Sequence, residues 1–86
     1  MPPHTILVTV RLFASAKEAA RLSELKVELP ATSIAADVLD YLARRYPAMT
    51  GLRPFIRLAV NEAYVDGDAT LHDGDDVAVL PPVSGG

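Results

Sequence analysis

The chain has 86 residues, of which 50% are hydrophobic and 22% are charged. This length and composition exclude a multidomain enzyme and indicate one small globular domain with its own core. The 8 basic and 11 acidic side chains give a formal net charge of -3, which is the wrong sign for binding a nucleic-acid backbone, so we expect no nucleic-acid partner.

The sequence also disfavours a membrane-spanning or secreted protein and any function that needs a cysteine side chain. No apolar run approaches the length that spans a bilayer, and the N-terminus lacks the pattern of a cleavable signal. We therefore expect no membrane partner and a soluble, cytoplasmic protein. The chain has no cysteine, which removes side-chain thiols as nucleophiles, disulfide partners and metal ligands.

The first part of the chain predicts two strands. Apolar and polar positions alternate over residues 5–13, which indicates a strand with one buried face. Residues 14–21 are rich in alanine and predict a loop or one or two turns of helix. Alternation returns over residues 25–29, and Pro30 ends what we expect to be an edge strand.

A single amphipathic helix is predicted next. Thr32 or Ser33 is a suitable N-cap, apolar residues follow at helical spacing, and Pro47 prevents continuation. Asp40 and Arg44 are four residues apart, as expected for charges on the solvated side.

The last part of the chain predicts three strands. Residues 56–60 alternate, and Asn61 and Glu62 supply a turn into a short second arm over residues 63–65. Aspartate-glycine turn signals follow, and a final strand is expected between Asp76 and Pro81.

The order strand, strand, helix, strand, short strand, strand predicts an α+β domain. A right-handed crossover makes the first and last strands parallel neighbours. We therefore expect a ubiquitin-like β-grasp, a mixed sheet of four or five strands with one main helix packed on one face. Residues 1–80 would form this domain, and residues 81–86 an extended, flexible C-terminal tail that ends in Gly-Gly.

Few residues in the domain suggest chemistry. His4 and His72 have no serine or carboxylate partner at a known motif spacing, so both are expected to be solvated. Five aspartates lie near turn glycines without the spacing of a calcium loop: Asp66, Asp68, Asp73, Asp75 and Asp76. We interpret them as turn residues and predict no metal site.

The C-terminal tail is the remaining candidate. Terminal glycines are usually a frayed end, but this tail follows a strand expected to be central, and Pro81 and Pro82 restrict its backbone. It then narrows to Gly85 and Gly86, which have no side chains. Six extended residues span at most about 20 Å. Such a tail could enter a narrow slot on another protein, with the α-carboxylate of Gly86 as the reactive group.

The chain resembles the small, sulfur-carrying subunit of molybdopterin synthase, within the ubiquitin-like sulfur-carrier family. The resemblance covers nearly the whole length, and its matching segments are residues 10–14, 18–20, 45–47, 60–61, 71–77 and 80–86. That family commonly has a glycine after the position of Ala20, where this chain has Arg21. The loop after the first strand could therefore differ in shape.

The resemblance implies a carrier and not an enzyme in its own right. An ATP-using, ubiquitin-activating-like enzyme would adenylate Gly86, and exchange for sulfur would give a terminal thiocarboxylate. The tail would then insert into the large subunit, which carries the catalytic side chains, and donate sulfur to the pterin precursor of the molybdenum cofactor. The resemblance further implies a heterotetramer with the large subunit. No cofactor is expected on this chain, because the activating enzyme would supply ATP.

An apolar surface is expected at the root of the tail. Phe13 and Leu80 fall on the face opposite the core, and strand alternation places Leu7, Ala59 and Ala78 with them. The family uses apolar residues at the positions of Phe13 and Leu80 for docking. The predicted partner-binding residues are therefore Phe13, Leu80, Pro81, Pro82, Val83, Ser84 and Gly85. The alternative is a second small core under residues 49–54.

Three other functions remain open. The same terminal chemistry would serve a carrier that supplies sulfur to thiamine, cysteine or transfer-RNA thiolation. A ubiquitin-like modifier would instead be conjugated to lysines through Gly86. An interaction module would have a tail without chemistry.

Overall fold

A computed structural model describes residues 4–82 of the chain. The elements, in chain order, are β1 (Thr5–Leu12), α1 (Ala14–Ala20), β2 (Glu24–Pro30), α2 (Ala35–Arg45), β3 (Arg57–Val60), β4 (Ala63–Val65) and β5 (Asp76–Leu80). Two short 3-10 turns, Pro47–Met49 and Arg53–Phe55, connect α2 to β3.

The five strands form one mixed sheet in the order β2-β1-β5-β3-β4. β1 lies antiparallel to β2 and parallel to β5, and β3 lies antiparallel to both β5 and β4. α2 makes the crossover between the two hairpins. This topology confirms the predicted ubiquitin-like β-grasp, including the parallel pairing of the first and last strands and the edge position of the second.

The core lies between α2 and one face of the sheet. Inward residues of β1 alternate with exposed ones, and α2 contributes its own apolar stripe, so the buried set includes Ile6, Val8, Val10, Leu12, Val27, Val38, Leu42, Val77 and Val79. Met49, from the irregular stretch after α2, is 2% exposed and packs in this same core. That stretch therefore completes the main core.

One local prediction needs correction, and the structure decides another that the sequence left open. Neither Thr32 nor Ser33 is the N-cap of α2. The N-cap is Ile34, whose backbone N–H donates to a carboxylate oxygen of Asp37 at 2.8 Å. Ser33 and Ile34 instead contact the segment before β5: Ile34 forms a β-bridge with Thr70, and the backbone carbonyl of Ser33 accepts a hydrogen bond from the backbone N–H of Leu71. Residues 14–20 were predicted as a loop or one or two turns of helix, and they form the seven-residue helix α1, with Ala16 and Ala20 buried.

The charges of α2 lie on a solvated face, as predicted, and one of them pairs outside the helix. Asp40 forms an ion pair with Arg53, in the second 3-10 turn, and not with Arg44 one helical turn away. The contact ties the irregular stretch to the helix. Both side chains remain well exposed, so the contribution to folding is small.

The turn between β3 and β4 explains why asparagine stands there. Asn61 and Glu62 both have positive φ, 51° and 73°, as a two-residue hairpin turn requires. The Asn61 side-chain amide donates to Asp75 at 2.9 Å, and its carbonyl accepts from the backbone N–H of Asp76 at 3.0 Å. Asn61 therefore joins the hairpin to the start of β5.

Candidate functional site

The root of the tail lies at the centre of the sheet. β5 runs between β1 and β3 and ends at Leu80. Pro81 is buried and Pro82 is exposed. The chain therefore leaves the domain from the central strand, which is paired on both sides, and this fixes where the tail begins. The predicted site residues Val83, Ser84, Gly85 and Gly86 lie outside the described residues.

A groove lies beside this exit point and is called here the apolar groove. It has a volume of about 460 Å³ and is lined by Phe13, Ala14, Phe55, Arg57, Tyr64, Leu80, Pro81 and Pro82. Its three aromatic side chains are well exposed: Phe13 at 44%, Phe55 at 63% and Tyr64 at 66%. Exposed aromatic rings gathered around one depression are typical of a surface that binds another protein.

Sequence alternation and pairing register place Phe13 and Leu80 in this groove. Phe13 follows β1 directly, and Leu80 ends β5, whose register pairs Leu12 with Val79. Arg57 of β3 lies opposite Leu80. The prediction that Phe13 and Leu80 meet at the tail root is therefore confirmed in position, while their binding role stays a prediction.

The sequence argument missed four residues of the groove: Ala14, Phe55, Arg57 and Tyr64. Tyr64 lies opposite Ala59 in the β3–β4 hairpin. A two-residue turn at Asn61 and Glu62 fixes this register, so the predicted turn was a signal that could have placed Tyr64 on this face. The Arg57 guanidinium carbon lies 4.3 Å from the centre of the Tyr64 ring, a cation-π arrangement. It orients the ring and gives the groove a positively charged edge.

Leu7 and Ala59 were expected in the same patch, and this part of the prediction is wrong. Leu7 is 48% exposed on the correct face, but it precedes Phe13 by six positions along an extended chain, about 20 Å. Ala59 is 7% exposed, so it offers little surface. Strand alternation identifies a face of the sheet but not a position along it.

A charged cluster separates Leu7 from the apolar groove. Arg11 of β1 forms ion pairs with Asp76 at 2.8 Å and with Glu24 at 3.0 Å. The hydrogen bond and the charge of Asp76, with the charge of Glu24, raise the pKa of the Arg11 guanidinium. This stretch of the sheet face is polar, and it bounds the groove on one side.

The aspartates near β5 have structural partners. Asp73 accepts from the backbone N–H of Leu7 at 2.7 Å, and Asp75 accepts from the backbone N–H of His72 at 2.8 Å. The His72 side chain is 76% exposed. Between residues 4 and 82, no three histidine or acidic side chains cluster closely enough to hold a metal ion. These contacts fit the interpretation of Asp73 and Asp75 as turn residues.

Arg21 takes the backbone shape that a glycine would take. It ends α1 with φ of 62° and ψ of 32°, in the left-handed region, and its backbone N–H donates to the Lys17 carbonyl at 2.8 Å. Arginine therefore occupies a left-handed position where the resemblance led us to expect glycine, at the cost of local strain.

Comparison with known proteins decides the family. The profile of the ThiS family matches residues 10–86. The chain belongs to the ThiS family. The molybdopterin synthase sulfur carrier subunit of Drosophila erecta is 39% identical over 82 residues, covering 92% of this chain and 90% of the relative. The corresponding subunit of Arabidopsis thaliana is 33% identical, covering 95% and 85%.

A solved structure supports the fold. The small archaeal modifier protein 1 of Methanosarcina acetivorans is 32% identical, with a TM-score of 0.74 and coverage of 98% of this chain and 100% of that one. In the part of the chain from residue 4 to residue 82, no helix is long and apolar enough to cross a membrane.

Proposed function

We propose that this chain is the sulfur carrier subunit of a molybdopterin synthase, acting through the terminal carboxylate of Gly86. The observation that carries this proposal is the 39% identity to a molybdopterin synthase sulfur carrier subunit over 90% of that protein's length. The family match also extends through the tail to residue 86. The chain's own contribution is then a reactive end and a docking surface.

The carboxylate must be activated before it can carry sulfur. A carboxylate oxygen of Gly86 attacks the α-phosphorus of ATP on a separate activating enzyme, and pyrophosphate leaves. A sulfur nucleophile then adds to the carbonyl carbon of the mixed anhydride, and AMP leaves. The product is a thiocarboxylate. ATP and its binding residues belong to the activating enzyme, so this chain needs no bound cofactor.

The sequence of the tail suits delivery into a narrow site. Pro81 and Pro82 remove two backbone donors and restrict φ, and the last two residues have no side chains. The six residues after Leu80 span at most about 20 Å. The apolar groove docks on the large subunit while the tail enters that subunit's active site, where the catalytic side chains lie. Two large and two small subunits form the assembly.

Sulfur delivery is a nucleophilic step. The thiocarboxylate sulfur of Gly86 bonds to an electrophilic carbon of the pterin precursor as an oxygen substituent of that carbon leaves. Hydrolysis of the resulting thioester returns the carboxylate and leaves the sulfur on the pterin. Two such transfers build the dithiolene sulfurs. The absence of cysteine from the chain is consistent with this route, because no side-chain thiol competes with the terminus for sulfur.

Intact mass spectrometry tests the loading step. The purified chain is incubated with an adenylating enzyme, ATP and a sulfur source. We expect a mass increase that corresponds to exchanging one oxygen atom for sulfur, located by fragmentation on Gly86. A chain that lacks Gly86 should show no increase and should melt at the same temperature as the full chain. Loading of that truncated chain would contradict the proposal.

A second candidate function is protein modification. The 32% identity to a small archaeal modifier protein favours it, because a modifier would use the same activated carboxylate to acylate a lysine. The two functions differ in the acceptor: a modifier gives isopeptide adducts in cell extracts, whereas the carrier gives a free thiocarboxylate. Carriers for thiamine, cysteine or transfer-RNA thiolation differ from the main proposal only in the acceptor enzyme.

A further inference from the structure

At the edge of the sheet far from the apolar groove, β2 has one side without a neighbouring strand in the described part of the chain. β2 contains seven residues and pairs only with β1 within residues 4–82. At its two ends, Leu12 donates to the Ser23 carbonyl and Ala31 donates to the His4 carbonyl. Since backbone groups alternate along an antiparallel strand, the odd-numbered residues of β2 bond to β1, and the even-numbered ones point outward.

The outward backbone groups therefore belong to Glu24, Lys26 and Glu28, together with the carbonyl of Pro30. The side chains of these four residues are exposed. An unpaired row of backbone donors and acceptors is a template for another strand. We propose that β2 pairs through this edge with β2 of a second copy of the chain, antiparallel about a twofold axis.

The charges along β2 select one register. When the axis passes through Val27, each Lys26 lies opposite Glu28 of the other copy, and both pairs are favourable. Moving the axis by one residue, to Lys26 or to Glu28, places identical charges directly opposite each other. An axis at Leu25 also matches opposite charges, but it leaves the second half of the strand unpaired. The strand is therefore complementary to itself in one full-length register.

The side chains are available for these contacts. The Lys26 ammonium donates to the Thr9 hydroxyl at 2.8 Å, and the Thr5 hydroxyl donates to one oxygen of Glu28 at 3.2 Å. An ammonium has three donors and a carboxylate several acceptor positions. Both groups can thus keep their contacts with β1 and form a new pair across the edge.

The proposed dimer also gains apolar contacts between the two copies of β2, and Pro30 ends its hydrogen-bonded ladder. On the helix side of the sheet, Leu25, which is half-buried, comes opposite Leu29 of the other copy. Pro30 lies opposite Glu24, and it can accept but not donate a backbone hydrogen bond. The paired ladder therefore stays short, which suits a weak and reversible dimer and limits further growth of the sheet.

The dimer leaves the proposed carrier surface free. None of the residues lining the apolar groove belongs to β2, and the groove is built around β3, β4 and the end of β5. Both tails can therefore be loaded while the copies are paired. Self-association and sulfur transfer can be tested separately, and the failure of one does not imply the failure of the other.

Sedimentation equilibrium of the full chain tests the dimer. We expect concentration-dependent association of the natural sequence, weakened about 10-fold to 30-fold by Lys26→Glu or by Glu28→Lys, because each substitution creates two pairs of like charges. Mixing these two variants in equal amounts should restore the association, since one chain then presents only carboxylates at these positions and the other only ammonium groups.

Glu62→Lys is the matched control for Glu28→Lys, because it changes the net charge equally in the turn between β3 and β4, at the opposite edge of the sheet from β2. It should leave the association unchanged. Amide hydrogen exchange gives an independent readout, in which the amides of Lys26 and Glu28 become slower at high protein concentration. A natural chain that stays monomeric up to about 1 mM, or a mixture that associates no better than its two components, overturns the proposal.

Discussion

Phe13→Ala is the most informative substitution in the apolar groove. A phenylalanine side chain offers roughly 200 Å² of surface, and Phe13 is 44% exposed. Docking can then bury about 90 Å² of it, which corresponds to about 2 kcal/mol, or about 30-fold in Kd. The part of the ring that is already buried contributes to folding, so a moderate fall in melting temperature accompanies the loss of affinity.

Leu7→Ala provides a matched control for Phe13→Ala. Leu7 is 48% exposed on the same face of the sheet, but it lies at the far end of β1, beyond the Arg11 cluster. Its truncation should lower the melting temperature to a similar extent, while leaving the affinity for a partner unchanged.

The assay is isothermal titration calorimetry against a molybdopterin synthase large subunit, at a temperature where both variants are folded. Thermal unfolding followed by circular dichroism provides the stability comparison. Equal weakening of binding by Phe13→Ala and Leu7→Ala would refute the groove as the docking surface. So would binding of Phe13→Ala with the affinity of the natural chain.

Two further predictions concern backbone strain and the hairpin turn. Arg21→Gly should raise the free energy of unfolding by about 0.5–1 kcal/mol, because it removes left-handed strain; a fall in urea midpoint would contradict this. Asn61→Ala should lower the free energy of unfolding by about 2–3 kcal/mol, since it removes both side-chain contacts to the start of β5 and strains a positive φ. Asn61→Gly keeps the φ and should lose less, and equal losses would mean that the backbone carries no strain.

The sheet could be derived from the sequence because its signals are local. Alternation in β1 and β5 reports burial directly, and the turn predicted at Asn61 and Glu62 is confirmed by their positive φ angles. The parallel contact of β1 with β5 followed from the handedness of the crossover.

The failures have a common cause, which is that tertiary contacts outweigh local preferences. Thr32 and Ser33 are good N-caps by residue type, but the β-bridge of Ile34 with Thr70 delays the helix to Ala35. Ion pairing follows the same rule, because Asp40 has Arg44 one helical turn away but pairs with Arg53 from the second 3-10 turn. Such choices depend on where the chain returns in space.

The apolar groove was predictable only in part, for the same reason. Phe13 and Leu80 follow from strand alternation and register, whereas Phe55 comes from an irregular stretch whose path no periodicity describes. Leu7 was misplaced because a period of two residues assigns a face and gives no distance along it.

Discharge of the loaded chain tests the central claim most directly. The thiocarboxylate form is mixed with a molybdopterin synthase large subunit and the pterin precursor, and its intact mass is followed over time. The account predicts that the terminal sulfur of Gly86 is lost, and the carboxylate regained, only when both the large subunit and the precursor are present, with sulfur appearing in the pterin product. A thiocarboxylate that persists in the complete mixture would contradict it.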